Sequence, residues 1–299
     1  MKRFLAYFLA IAFCSVVFAL VNDGLNLMLI RSSWGNPAYK MERLWSDAFP
    51  DEVAILGSSR AQGNFMPSRM SPTCFDYGAD GMGMPEVLFF LRHLARRKTS
   101  APVIVNLDPW GFGGFDSPCF VGDYRLAPQS GRTRFVDALP GLRFHGALRK
   151  SLVAWLNQRK AVTKVIDAGA VLLKTSRTPV EWDVINAKLT PWGFTRSVEG
   201  EKEFEEAMRS LAPRKVIVVV GPCASHFMEL YPSMDEFSRY LEHLRTIDNV
   251  IVVNMFGDTD FSDSDFTDPT HLNIRGAAKF TEKVMRAVGH VIHGKVEVK

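Results

Sequence analysis

Ile55-Leu56-Gly57-Ser58-Ser59-Arg60 is an apolar run that breaks into a small-residue turn exposing serine. A strand giving way to such a turn is where an alternating α/β chain presents reactive groups, because ligands gather at the carboxyl ends of its strands. More than two hundred residues later, Asp268-Pro269-Thr270-His271-Leu272-Asn273 sets a carboxylate three residues before a histidine. A serine hydroxyl is a poor nucleophile at neutral pH. It needs an imidazole within hydrogen-bond reach and a carboxylate that fixes the imidazole's tautomer. Each motif is weak alone, since small-residue turns are common and an aspartate near a helix start is usually an N-cap. Found in this order at the two ends of an α/β pattern, they point to one site.

The pattern between them is legible from periodicity. Strands are expected at Glu52 to Leu56, Cys74 to Tyr77, Pro102 to Leu107, Lys215 to Val220 and Asn249 to Asn254. Helices are expected near Pro85 to Arg97, where Val87, Leu88, Leu91 and Leu94 share a face, at Met234 to Leu244, and from Ile274 to Val288. Alternation of this kind predicts an α/β fold, a mainly parallel sheet covered on both faces. Ser59, Gly81 and Asp108 all fall just past strand ends. The interval at about 111–213 is too long for one crossover and reads as a large, mostly helical insertion over the site. It carries helical patterns around Arg149 to Lys174 and Glu201 to Leu211.

These blocks resemble the SGNH/GDSL superfamily of serine esterases and acyltransferases, over about 50–110 and 214–288. The resemblance implies a flavodoxin-like three-layer sandwich, with Ser59 as nucleophile, His271 as base and Asp268 as acid. Tyr77-Gly78-Ala79-Asp80-Gly81 is similar to the family's second block, which makes Gly81, with the Ser59 N–H, the expected oxyanion hole. The third block departs from the pattern. Where the family has Gly-x-Asn-Asp, this chain reads Val105-Asn106-Leu107-Asp108-Pro109-Trp110, so Asp108 stands nearest the donating asparagine, and an ionised aspartate only accepts. Ser58 takes the place of the name-giving aspartate. A Gly-Ser-Ser block of this kind resembles membrane-associated members that acylate cell-envelope polymers, among them alginate O-acetylation proteins and the D-alanine-transfer protein of lipoteichoic acid.

The rest of the chain fits an envelope protein. Phe4 to Val21 are eighteen uncharged residues behind Lys2 and Arg3, which reads as an uncleaved anchor in preference to a removed signal. The expected division is an anchor at 1–30, a connector at 31–50 and the catalytic domain at 51–299, outside the cytoplasm by the positive-inside rule. Arg125 to Arg177 hold eleven Lys or Arg against Asp137 and Asp167, while the whole chain has 36 basic against 32 acidic residues. That excess suits either a solvated helix face or an anionic neighbour such as phospholipid or an acidic polymer. Nucleic acid is not an expected partner. Four cysteines, Cys14, Cys74, Cys119 and Cys223, show no metal-ligand spacing, and the three beyond the anchor allow at most one disulfide or remain buried thiols. No metal or nucleotide cofactor is implied.

Further side chains are candidates for substrate contact. Arg60 points either to substrate or to a salt bridge beneath the turn. Trp110 belongs to one of two Pro-Trp-Gly-Phe segments, Pro109 to Phe112 and Pro191 to Phe194, and is a candidate sugar platform. Asp108 is also a substrate-side candidate, Asn273 either caps the last helix or supports the His271 loop, and His226 is the rival base. The expectation is a membrane-anchored esterase or O-acyltransferase acting on acyl esters of an envelope carbohydrate, with a membrane protein as possible acyl donor. Its alternative is a non-catalytic glycan-binding or assembly module of the same fold.

Overall fold

A computed structural model describes residues 2–31, 37–45, 48–112, 164–173, 197–228 and 234–294. After helix α1 (Lys2–Arg31) and helix α2 (Pro37–Trp45), strand β1 (Val53–Leu56) leads into helix α3 (Ser59–Asn64) and the short helix α4 (Pro67–Met70). Strand β2 (Cys74–Asp76), helix α5 (Met84–Leu94) and strand β3 (Val103–Asn106) follow. Next come strands β4 (Lys164–Asp167) and β5 (Ala170–Leu173), helix α6 (Val198–Arg209), strand β6 (Val216–Val220), helices α7 (Ser225–Met228) and α8 (Asp235–Leu244), and strand β7 (Val250–Asn254). Strands β8 (Phe266–Asp268) and β9 (His271–Leu272) precede the last helix, α9 (Ile274–Ile292).

Five strands form one parallel sheet in the order β2-β1-β3-β6-β7. The order reverses at β1, so the crevice where ligands bind in such sheets opens beyond the carboxyl ends of β1 and β3. Period-two alternation splits the apolar strand residues between two cores. Leu56, Val105 and Val218 face α2, α5, α6 and α8, while Ile55, Ile104 and Val219 face α3, α4 and α9. The result is the three-layer flavodoxin-like α/β fold. Each wholly buried side chain of this size adds roughly 1.5–3 kcal/mol, so the two cores supply the main stabilisation.

Two segments depart from the sequence reading. Helix α2 lies inside the stretch expected as a connector, and its Met41 and Leu44 are buried in the first core. Within the expected helix from Arg149 to Lys174, the described residues form the antiparallel hairpin β4–β5. Its two turn residues have positive φ, Ala168 at 41° and Gly169 at 92°, the requirement of a tight hairpin whose twist matches its strands. The tip closes the β2 edge of the sheet: Ala168 O accepts from Asp76 N at 2.8 Å, and a side chain at position 169 would lie 2.2 Å from Asp76 O. Helix α6 falls on the helix expected from Glu201 to Leu211, while 113–163 and 174–196, with most of the basic run, Cys119 and the Pro191 to Phe194 segment, lie outside the described residues.

Arg3–Leu25 of α1 is long and apolar enough to cross a membrane, and its apolar window is not buried inside the protein. A signal sequence has the same character.

The turn after β1 is built on Gly57, at φ 143°, where a Cβ would lie 2.8 Å from Asn106 O and 2.9 Å from Ala61 Cβ. Gly57→Ala is expected to cost about 1–3 kcal/mol. Thermal melting of the full chain in detergent should show the midpoint falling by about 2–4 °C for each of those.

Candidate active site

Ser59 opens α3, and Ser58 is its N-cap. The two hydroxyls are committed differently. Ser58 Oγ accepts from Arg60 N at 3.2 Å and donates to Asp108 Oδ2 at 2.5 Å. Ser59 Oγ lies 2.8 Å from His271 Nε2. The imidazole reaches across from the other end of the chain because Asp268 and His271 are paired residues of the β8–β9 hairpin, joined by Pro269 and Thr270. That register explains the three-residue spacing: opposed residues of a hairpin put their side chains side by side.

His271 Nδ1 lies 2.8 Å from Asp268 Oδ1 and 3.0 Å from Oδ2. Asp268 Oδ1 also accepts from Thr270 N at 3.1 Å, Thr270 Oγ1 at 3.2 Å and His271 N at 3.0 Å. Burial works against the charge on Asp268, but the ring and charge of His271 and the two backbone N–H groups outweigh it and hold its pKa below the ordinary carboxylate value. An ionised Asp268 only accepts, so the proton on this side of the ring belongs to Nδ1, and in the neutral ring Nε2 is then the acceptor facing Ser59.

Arg60 lies under this array. It is 1% exposed, so the structure places it beneath the turn and away from a substrate. Its Nη1 donates to Asp108 Oδ1 at 2.9 Å, its Nη2 to Pro222 O at 2.7 Å and its Nε to Thr270 O at 3.0 Å. Gly221 makes room for it, since a Cβ there would stand 3.0 Å from Nη2. Asp108, also buried, takes a third donor from Asn106 Nδ2 at 2.9 Å. Its oxygens are occupied by Ser58, Arg60 and Asn106, which makes it the counter-charge of the turn and not a group facing substrate.

The remaining candidates separate cleanly. Asn273 caps α9, its Oδ1 accepting from Arg275 N at 3.0 Å and Gly276 N at 3.1 Å, while its Nδ2 donates to Ser264 O at 2.8 Å. It supports the histidine hairpin from behind. Trp110 is half-buried beyond β3, with the Arg60 guanidinium 5.2 Å from its ring and Phe227 edge-on at 5.7 Å. Gly81, at φ 74°, occupies an exposed turn closed by Met82 N donating to Ala79 O at 3.1 Å. His226 belongs to α7, and the imidazole bonded to Ser59 is that of His271. Sequence reasoning passed over Asn64, buried at the end of α3, whose Oδ1 accepts from Leu272 N at 3.2 Å and ties the serine helix to β9. Its only sequence signal was an amide in a short apolar turn. Among the described residues no cluster of His, Cys, Asp or Glu could hold a metal ion.

No family model matches the chain, and no curated protein sequence does. Among solved structures, an acetyl xylan esterase from the rumen bacterium Butyrivibrio proteoclasticus is similar at a TM-score of 0.32 and 10% identity. The likeness covers 84% of this chain and 66% of that one, just under two thirds of its length.

Removing Arg60 alone strands the buried Asp108 charge. Arg60→Met is expected to destabilise the protein by about 3–5 kcal/mol, and Arg60→Met with Asp108→Asn by clearly less. Denaturant titration of the two variants against the parent measures the difference.

Proposed function

We propose that the protein is a membrane-anchored serine esterase or O-acyltransferase of the SGNH type, acting on acyl esters of a cell-envelope carbohydrate. One observation carries the chemistry: the continuous hydrogen-bonded line from Ser59 Oγ through His271 to Asp268. In this reading Ser59 Oγ attacks the ester carbonyl as its proton passes to His271 Nε2, and the ring, held by Asp268, bears the resulting charge. The N–H groups of Ser59 and Gly81 receive the negative charge on the tetrahedral oxygen. Collapse expels the alcohol, which takes the proton from Nε2 and leaves the acyl group on Ser59. Water or a sugar hydroxyl, deprotonated by the same nitrogen, then removes the acyl group. Hydrolysis and transfer share these groups and differ in whether the site excludes water.

Three features support the carbohydrate and the envelope. Trp110 offers a half-exposed indole beside the crevice, a surface on which sugar rings stack, and Arg60 and Phe227 fix its plane. The apolar stretch of α1, behind Lys2 and Arg3, suits a single-pass anchor with its amino end in the cytoplasm. The basic run from Arg125 to Arg177 suits an acidic polymer or anionic lipid near that anchor, and a membrane protein would supply the acyl donor if transfer is the reaction.

A fluorophosphonate probe tests the nucleophile on the detergent-solubilised chain. The parent is expected to label at Ser59 and Ser59→Ala to lose all labelling, with activity on acetylated sugars falling by about 10⁴ or more. Ser58→Ala, which removes a cap worth about 1 kcal/mol, should still label. An unlabelled parent that binds glycan would favour the non-catalytic module. For topology, externally added protease should cleave the domain in spheroplasts while the protein stays in the membrane fraction. Protection from that protease overturns the orientation and the envelope substrate together.

A further inference from the structure

Beside the serine turn the fold encloses a second pair of charges that the proposed reaction does not use. Lys40 of α2 and Asp76 at the end of β2 are both wholly buried, with Nζ 3.9 Å from Oδ1. Taking two ions out of water is costly, and a pair at this separation recovers only part of that cost. Burial accordingly draws Lys40 down to about 8 against the pull of Asp76, and pushes Asp76 up to about 7.

Both groups make a closer contact to one and the same residue. Lys40 Nζ donates to the Gly78 carbonyl, and Gly78 N donates to Asp76 Oδ1 at 2.6 Å. Gly78 is thereby held at both its N–H and its C=O by charged side chains. It also presses on the serine helix, since a Cβ at position 78 would lie 2.7 Å from Ala61 Cβ and 2.9 Å from Gln62 N. The next residue, Ala79, donates to Gly57 O at 3.2 Å, two positions before Ser59, and opens the turn that carries Gly81. The rest of α2 is fastened to the same face of the sheet: Arg43 pairs at 2.5 Å with Glu52, just before β1, and lies over Phe75 of β2 at 4.2 Å.

We propose that Lys40 and Asp76 are positioning residues that fix the Gly78–Met82 loop against the Ser59 turn, so that the oxyanion site is held in shape by the helix next in the chain after α1. The proposal rests on the reading of Ser59 and Gly81 given above. It assigns α2 a part in catalysis through the backbone it orients, without contact to substrate.

The test uses the full chain in detergent with Lys40→Met, Asp76→Asn and the double variant. Three quantities are followed: the rate of fluorophosphonate labelling at saturating probe, the probe concentration giving half that rate, and amide hydrogen exchange over residues 77–83. Attack on the phosphonate places charge on the oxygen that the same donors receive, so Lys40→Met should label about tenfold or more slowly at unchanged half-saturation. Exchange over 77–83 should be faster. The double variant has no stranded charge, so it should regain the parent's melting temperature while still labelling slowly, and it carries the test if Lys40→Met fails to fold. A double variant that labels at the parent's rate, or slow labelling with unchanged exchange over 77–83, overturns the proposal. A parent that does not label overturns the catalytic reading and the proposal with it. A labelling parent with equally fast variants overturns the proposal alone.

Discussion

Four segments at the carboxyl edge of the sheet meet on one guanidinium. Arg60 follows the candidate nucleophile, bonds the Asp108 carboxylate beyond β3, the Pro222 carbonyl beyond β6 and the Thr270 carbonyl inside the histidine hairpin. Ser59 is the residue before it and His271 the residue after Thr270, so the span between hydroxyl and imidazole is set by a side chain adjacent to each. A buried arginine is tolerable only if its donors are satisfied and its charge is matched. Two carbonyls and one carboxylate meet that demand here, and the missing side chain at Gly221 provides the space. The glycines, the aspartate and the arginine are one solution to one packing problem.

Electrostatics sorts the neighbouring nucleophiles in the same way. Ser58 Oγ is both the cap of α3 and a donor to Asp108, which leaves Ser59 as the hydroxyl facing the ring. Cys223 stands near the same charges, yet burial first, and then Asp108 and Asp268, push its thiol up to about 11 against the opposing pull of Arg60. A thiol so placed stays protonated and unreactive at neutral pH. Cys74, buried on β2, is pushed up further, to about 12, chiefly by its own enclosure.

Four of the five sheet strands, β1, β3, β6 and β7, were legible because each is a short apolar run with β-branched residues, as parallel strands buried on both faces are, while β2, Cys-Phe-Asp, was marked chiefly by the glycine-rich turn that follows it. Ser59, His271 and Asp268 were legible as motifs, although the hairpin that pairs the last two was not: a two-residue strand leaves almost no periodic signal. The β4–β5 hairpin was misread because Val165 and Leu172, seven residues apart, also fit one helical face, and because Ala168 is an unusual choice for a left-handed turn position. Helix α2 was hidden for another reason. Its burial depends on Lys40 and Arg43, and a sequence reading expects such residues in solvent; only the partners Asp76 and Glu52, brought in by the sheet, reverse that.

The third block, where this chain departs from the family it resembles, takes on a physical meaning once Asp108 is seen from below. An asparagine at that place has an amide to offer an oxyanion; a carboxylate has none, and this one is turned toward Ser58, Arg60 and Asn106. The carboxylate and Arg60 therefore go together: an amide at position 108 would leave the buried guanidinium without a counter-charge, and an arginine at position 60 makes a carboxylate there necessary. In the proposed reaction, stabilisation of negative charge at Ser59 then falls to backbone N–H groups. Backbone donors have no rotamers with which to adjust, so their aim is only as good as the loops that carry them. That shifts the demand for precision onto the turn after β1 and the loop after β2, the two places where glycines at positions 57 and 78 let backbone and helix meet without a side chain between them.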